Sequence, residues 1–177
     1  MSAVSTASVR PAALSDIAAI TRIYADAVEH GTATFEIEAP DEAEMAHRHH
    51  TLAVNGYPYL VAERAGVVAG YAYAGPYHHR AAYRWTLEDT VFVDPQFHRA
   101  GLGRLLMTQL IAAAQQAGFR QMMALIGDSA NAGSIGLHAA VGFRHVGTLR
   151  SVGFKHGRWL DVVLMQRALG GADSTPP

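Results

Sequence analysis

The residues of this chain whose types and spacing suit them to binding or reaction begin with His98-Arg99-Ala100-Gly101-Leu102-Gly103. Before them, Thr90 to Val93 is a β-branched and aromatic run, as a strand requires. Asp94-Pro95 ends it, because proline has no N–H to give to a ladder. After them, Leu102, Leu105, Leu106, Gln109 and Leu110 recur at three- and four-residue spacing and so share one helix face. A strand that runs through a glycine-punctuated loop into a helix start leaves backbone N–H groups free and aims a positive dipole end at one place. That is an anion site, and a diphosphate is its usual guest. A dinucleotide fingerprint is excluded, since Leu106 stands where its third glycine belongs, and a P-loop is excluded by the lack of Gly-Lys-Ser/Thr. Just upstream, Glu88 lies between Trp85, Leu87 and the apolar run. A carboxylate beside apolar groups has its pKa raised toward that of a useful base. Asp89 is the competing carboxylate, and strand alternation turns it to the opposite face of the sheet.

Composition bounds what these residues can serve. The 177 residues suit one domain with a sizeable core, spanning 1–169, with the small, polar, proline-ended 170–177 as a flexible tail. There is no cysteine, which excludes disulfides, Fe–S clusters and thiol nucleophiles. Net charge is −1 and the positive charges are scattered, so no nucleic-acid partner is expected. No apolar run is long enough to span a bilayer, and the start, MSAVSTASVRP, lacks the pattern of a signal peptide. A cytoplasmic location and no membrane partner are the expectation. No metal is expected either: His47, His49 and His50 share a helix with no acid at ligand spacing. Gly133-Ser134-Ile135-Gly136 has the wrong spacing for a serine hydrolase elbow.

The elements that must position the site follow from periodicity. Val9 to Pro11 ends a first strand. Ser15-Asp16 caps a helix through Ile17, Ile20, Ile23, Tyr24, Ala27 and Val28, which Gly31 ends. Asp41 opens a second helix through Met45, His49 and Leu52. Tyr57–Glu63 and Val67–Ala74 form an antiparallel hairpin, and Gly75–Arg84 is a polar, aromatic loop. Trp85–Val93 is the central strand, Leu102–Gln116 a helix, Arg120–Ile126 a strand and Asn131–Val141 a helix. His145–Arg150 and Trp159–Leu169 are the last strands, joined by Ser151–Arg158. The result is an α/β chain with helices on the faces of a mixed sheet.

Three features resemble the GCN5-related N-acetyltransferases (GNAT): the spacing His98-x-x-Gly101-x-Gly103, the element order, and the segment Asn131-Ala-Gly-Ser134 to Gly142-Phe143. The stretches YAYAGPY, YRWTLEDTVFV and GTLRSVGFKHGRWLDVVLMQR are similar to the branch that acetylates phosphinothricin and methionine sulfoximine. The resemblance covers Val9 to Arg167. It implies the acyl-CoA N-acyltransferase fold, a mixed and mostly antiparallel sheet flanked by helices, with acetyl-CoA as cosubstrate. It implies that the pantetheine arm pairs along Val91, Phe92 and Val93 while the strand from Arg120 splays away. The diphosphate would lie on the amides of Arg99, Ala100, Gly101, Leu102, Gly103 and Arg104, with Asn131 and Ser134 as further contacts. Glu88 would be the general base, directly or through water. His138, five residues before Phe143, would protonate the leaving thiolate. Phe35, Tyr73, His78, Arg80, Tyr83 and Lys155 would meet a glutamate-like amino acid, and the protein would be a homodimer. Without cysteine, sequential transfer through a ternary complex is expected. His78-His79-Arg80 departs from the Arg-Pro-Phe of some relatives, which leaves a polyamine or a protein N-terminus open as acceptor. A non-catalytic acyl-CoA sensor is the other alternative, although a sensor needs no base at Glu88.

Overall fold

The computed structural model describes residues 7–176. The inference about the start of the chain rests partly on residues outside that range, as does the last residue of the expected tail. Among the described residues, seven strands and four α-helices follow in the order β1 (Ser8–Pro11), α1 (Ile17–His30), α2 (Glu42–Val54), β2 (Tyr59–Arg64), β3 (Val67–Pro76), β4 (Thr86–Val93), α3 (Leu102–Gln116), β5 (Gln121–Gly127), α4 (Ala132–Ala140), β6 (Arg144–Lys155) and β7 (Arg158–Ala168). They form one sheet in the order β1-β2-β3-β4-β5-β7-β6. Only β4 and β5 pair in parallel, so the strand that begins the glycine loop lies at the centre.

Strand alternation splits the core into two layers. Leu60, Ala62, Ala72, Ala74 and Leu87 turn toward α3, where Leu102, Leu106, Met107 and Leu110 cover them. The alanines let α3 come close to the sheet. Tyr59, Val61 and Tyr71 turn the other way, toward Ile17, Ile20, Ile23, Tyr24 and Met45 of α1 and α2. The expected face of α3 is shifted in detail: Leu105 is only half-buried and Gln109 is exposed, while Met107 and Ile111 complete the buried stripe.

Asp16 opens α1, but not as the side-chain cap that the sequence suggests. Its carboxylate accepts both forks of Arg10 at 2.7 and 2.8 Å and the Ala13 N–H at 2.8 Å, which ties β1 to the helix start. Asp16→Ala is expected to lower stability by about 2–3 kcal/mol, since it strands charge-assisted donors. That corresponds to a melting temperature roughly 5–10 °C lower for a chain of this size. The Arg10 hydrogen bonds hold the Asp16 carboxyl below its ordinary range. Its contribution is therefore complete above the unfolded aspartate value and lost as pH falls through the folded value. Melting curves of the two proteins should converge in acid; a constant gap would contradict the assignment.

The expected path of the last hairpin is corrected. The connector placed at Ser151–Arg158 is mostly strand, because β6 runs on to Lys155 and turns at His156-Gly157, both with positive φ. A bulge hides it: the register shifts between Leu149 and Gly153, with Ser151 at φ 53° and its N–H on Asp161 Oδ1. Such a break reads as a loop in sequence. Near the end of the described residues, Arg120 donates to Thr175 Oγ1 and the Pro176 carbonyl.

Candidate active site

β4 and β5 pair at only three positions, ending at Glu88 with Met123. Beyond that point each keeps its other neighbour: β4 stays on β3 as far as Val93, and β5 stays on β7 as far as Gly127. The two strands part like a fork. The Tyr77 N–H bonds the Thr86 carbonyl, and the Asp94 N–H bonds the Ala69 carbonyl. Even-numbered residues of β4 therefore exchange bonds with β3, and odd-numbered ones turn toward β5. Val91 and Val93 thus present backbone groups to a gap that β5 no longer fills. Phe92 does not, and its ring packs edge-on against Tyr24 instead, 5.2 Å between centroids.

The same alternation puts the two carboxylates on opposite faces. Glu88, opposite Gly75, shares the α1/α2 face with Tyr73 and Thr90. Asp89 shares the α3 face with Leu87 and reaches α4. At the fork both faces open into one cavity of about 190 Å³ that Glu88, Asp89, Ser134 and His138 all border. On the α2 side Glu88 also borders a second cavity of about 380 Å³, with Tyr73, Thr90, His47, Arg48 and Thr51. Burial raises the Glu88 carboxyl above its ordinary range, and the neighbouring Asp89 charge adds to this.

Asp89 is 7% exposed and His138 3%. Their bond, His138 Nε2 to Asp89 Oδ2, is 2.9 Å. His138 Nδ1 points at the Ser134 carbonyl at 2.7 Å, with the Ser134 hydroxyl at 3.3 Å. Burial alone lowers an imidazole pKa, but the Asp89 bond and charge and the Ser134 carbonyl together hold His138 above its ordinary value. With acceptors at both nitrogens, the protonated ring is the one that satisfies the site. Burial keeps the Asp89 carboxyl raised, and the His138 bond opposes that.

From the fork a groove of about 830 Å³ runs past Val91 and Val93 to the glycine loop and the start of α4. Gly101, at φ 80°, is the N-cap of α3 and has no side-chain partner there; a Cβ would be strained in this left-handed conformation. The Leu105 N–H is the first to bond back, to Gly101, which leaves the amides of Leu102, Gly103 and Arg104 facing outward. His98 donates from Nε2 to the Val93 carbonyl at 2.9 Å and so closes the loop onto β4. Arg99 and Arg104 are exposed beside these amides, where they can meet an anion without first losing a partner. Asn131 caps α4 by accepting the Ser134 N–H at 3.1 Å.

A fork in the sheet, an amide cradle at one end of a groove and a buried-side carboxylate at the other is the layout expected from the resemblance, and the GNAT acetyltransferase domain profile matches residues 9–164. The chain belongs to the GNAT acetyltransferase family. A phosphinothricin N-acetyltransferase of Alcaligenes faecalis is 52% identical over 92% of this chain and 82% of that protein. An L-methionine sulfoximine/L-methionine sulfone acetyltransferase of Salmonella typhimurium is 40% identical over 91% of this chain and 94% of that one. The crystal structure of a GNAT phosphinothricin acetyltransferase from Sinorhizobium meliloti in complex with AcCoA superposes with a TM-score of 0.94 at 46% identity, covering 97% of this chain and 93% of that one.

The residues expected to meet the GNAT acceptor are not all gathered at the fork. Tyr73 borders both cavities beside Glu88. His78, Arg80 and Tyr83 sit on the exposed connector before β4, with the His78 and Tyr83 rings 5.1 Å apart, and border none of the three cavities. Lys155 is 4% exposed. Its ammonium donates to the Thr34 carbonyl at 3.0 Å, and burial lowers its pKa, so it holds the loop after α1 rather than facing a cavity. His156 bonds the Gly31 carbonyl, and Arg158 bonds Asp128, which also accepts from Thr32. The end of the β6–β7 hairpin thereby clamps that loop. Phe35 lies in the clamp, where a Cβ on Gly153 would stand 2.3 Å from its ring. Gly153→Ala is therefore expected to push Phe35 and its loop outward, raising KM for the amine several-fold while calorimetric affinity for coenzyme A stays within about twofold, for a strain of about 1–3 kcal/mol. An unchanged KM would remove Phe35 and its loop from the acceptor site.

Sequence reasoning missed two parts of the site. His47, Arg48 and Thr51 follow a helical spacing on α2 that could have been read as one polar face. Asp89 as the partner of His138 left no such signal, because the pairing joins residues 49 apart in the chain.

Proposed function

We propose that this chain moves the acetyl group of acetyl-coenzyme A to the amino group of a small glutamate-like amino acid, of which phosphinothricin, methionine sulfoximine and methionine sulfone are examples, as a cytoplasmic homodimer. The observation that carries this reading is the position of Glu88 at the fork, bordering both the cavity that opens toward the groove and the cavity beside α2. A donor in the groove and an amine beside α2 would meet at that carboxylate. The names of the relatives at 52% and 40% identity support the choice of acceptor.

The groove fits the donor. The free amides of Leu102 to Arg104 and the exposed Arg99 and Arg104 suit a diphosphate, and the Val91 backbone and the Val93 N–H, turned into the gap while His98 holds the Val93 carbonyl, suit an amide-bearing arm added like a strand. Acetyl-coenzyme A supplies the activated thioester. Glu88 takes a proton from the ammonium, directly or through one water, so that the nitrogen has a lone pair to attack with. Holding both reactants at the fork supplies alignment. An N–H of the β4 backbone turned into the gap polarises the acetyl carbonyl. His138, held charged by Asp89, is the proton store for the departing sulfur. On the α2 side Arg48, held by Glu36 at 2.7 Å and Glu44 at 2.7 Å, lies with the His47 ring at the cavity, where their N–H groups can meet the acidic end of the substrate. Edge strand β6 exposes Val146, Val152 and Phe154, and Trp159 lies exposed beside them on β7, an apolar patch suited to a twofold partner.

Thiol release from acetyl-coenzyme A, measured across phosphinothricin, methionine sulfoximine, methionine sulfone, glutamate, spermidine and a short peptide, tests the reading. The first three should give the highest kcat/KM. Turnover confined to spermidine or the peptide would overturn the acceptor, and coenzyme A binding without turnover on any amine would favour the sensor.

A further inference from the structure

We propose that the Ser134 hydroxyl is the group that protonates the leaving thiolate, with His138 reloading it; this rests on the acetyl-transfer reading above. His138 cannot do so itself. The ring is 3% exposed, and both nitrogens are turned to protein acceptors, Nε2 to Asp89 Oδ2 at 2.9 Å and Nδ1 to the Ser134 carbonyl at 2.7 Å. No N–H remains to point at a ligand.

Ser134 is placed differently. It is half-buried, and it borders both the cavity at the fork and the long groove. A thioester drawn from the groove into the fork passes this residue. Its hydroxyl is 3.3 Å from His138 Nδ1, within reach of the N–H that the ring gives to the Ser134 carbonyl. Residues 131, 134 and 138 recur at helical spacing on one face of α4, so hydroxyl and imidazole are fixed to each other by the helix itself. Behind them, Asp89 Oδ1 is buried without a partner. Among the described residues His138 is the charged group paired with that carboxylate, which favours a charged ring beside it and keeps a proton in store.

The transfer balances without an added reagent. An S–H bond forms as the Ser134 Oγ–H bond breaks. In the same event the His138 Nδ1–H bond breaks and a new Oγ–H bond forms, so that no serine alkoxide is left. His138 is left neutral, with its Nε2–H still on Asp89, and a solvent proton restores Nδ1 after the products leave.

Ser134→Ala keeps the Asn131 cap, which uses the backbone N–H, and removes only the hydroxyl; Ser134→Thr keeps a hydroxyl. With acetyl-coenzyme A as donor, Ser134→Ala should lower kcat about 10²-fold, and Ser134→Thr should recover most of it. With the selenium analogue of acetyl-coenzyme A, whose selenolate is a much weaker base and leaves without a proton, Ser134→Ala should match the unsubstituted chain. A readout independent of turnover is the ultraviolet absorbance of bound coenzyme A thiolate. Loss of the donor should move its appearance to higher pH in Ser134→Ala, while calorimetric affinity at neutral pH stays within about threefold, the small cost of a neutral hydrogen bond. Equal losses with the sulfur and selenium donors would reduce Ser134 to a positioning contact and overturn the relay. So would an unchanged rate on the sulfur donor, or a thiolate titration that does not move. Those results leave acetyl transfer standing. Absence of turnover in the unsubstituted chain overturns the reading beneath and the relay with it.

Discussion

Replacing Glu88 with glutamine is expected to lower kcat about 10²- to 10⁴-fold, the usual worth of a positioned base. Coenzyme A affinity should hold, because the groove and the glycine loop do not include this side chain. The substitution keeps size and hydrogen bonding but cannot take a proton, so a loss in kcat at constant affinity isolates the base. The pH profile gives a second signature. Burial raises the Glu88 carboxyl above its ordinary range, with a smaller push from Asp89. The base is active only when ionised, so kcat/KM should rise with pH through a limb set by that raised value. In Glu88→Gln this limb should vanish. A variant that retains both rate and limb would move the base elsewhere, with Asp89 excluded by its bond to His138.

The second large effect concerns stability as much as rate. His138→Ala leaves the Asp89 carboxylate buried with neither oxygen partnered, since Oδ1 has no partner already. Breaking such a pair from one side is expected to cost about 3–5 kcal/mol, together with a rate loss of at least 10²-fold. Asp89→Ala should also destabilise, because a charged ring is then enclosed without its counter-charge. The double variant should be more stable than the sum of the two losses predicts, by about 1–3 kcal/mol of coupling. Denaturant unfolding of the four proteins measures this directly. Simple additivity would mean that the 2.9 Å contact contributes nothing beyond packing.

Much of the fold was legible because its local signals agree. The apolar stripe of α1, the Asp41 cap of α2, the hairpin of β2 and β3 and the loop into α3 each read the same way in sequence and in three dimensions. β6 was misread because its bulge at Ser151 interrupts the alternation that marks a strand. The site divides along the same line. Glu88, the glycine loop, Asn131 and Ser134 lie on elements with strong local patterns, and the structure brings them to one fork and one groove. Lys155 reads as a cation awaiting an anion, yet the fold buries it against the Thr34 carbonyl. His138 reads as an isolated acid, yet it belongs to a chain of Asp89, imidazole and Ser134. Such pairings join distant segments, and residue types alone do not declare them. The two faces of β4 show this most plainly. Alternation separates Glu88 from Asp89, but only the departure of β5 lets both border one cavity.

The central claim is that reaction occurs where β4 and β5 part. A crystal structure of the chain with coenzyme A tests it most directly. The account predicts the diphosphate on the amides of Leu102 to Arg104, the arm along Val91 and Val93, and the sulfur within hydrogen-bond reach of the Ser134 hydroxyl, with Glu88 facing it across the fork. A coenzyme whose sulfur lies away from the fork, or whose diphosphate avoids the glycine loop, would contradict it.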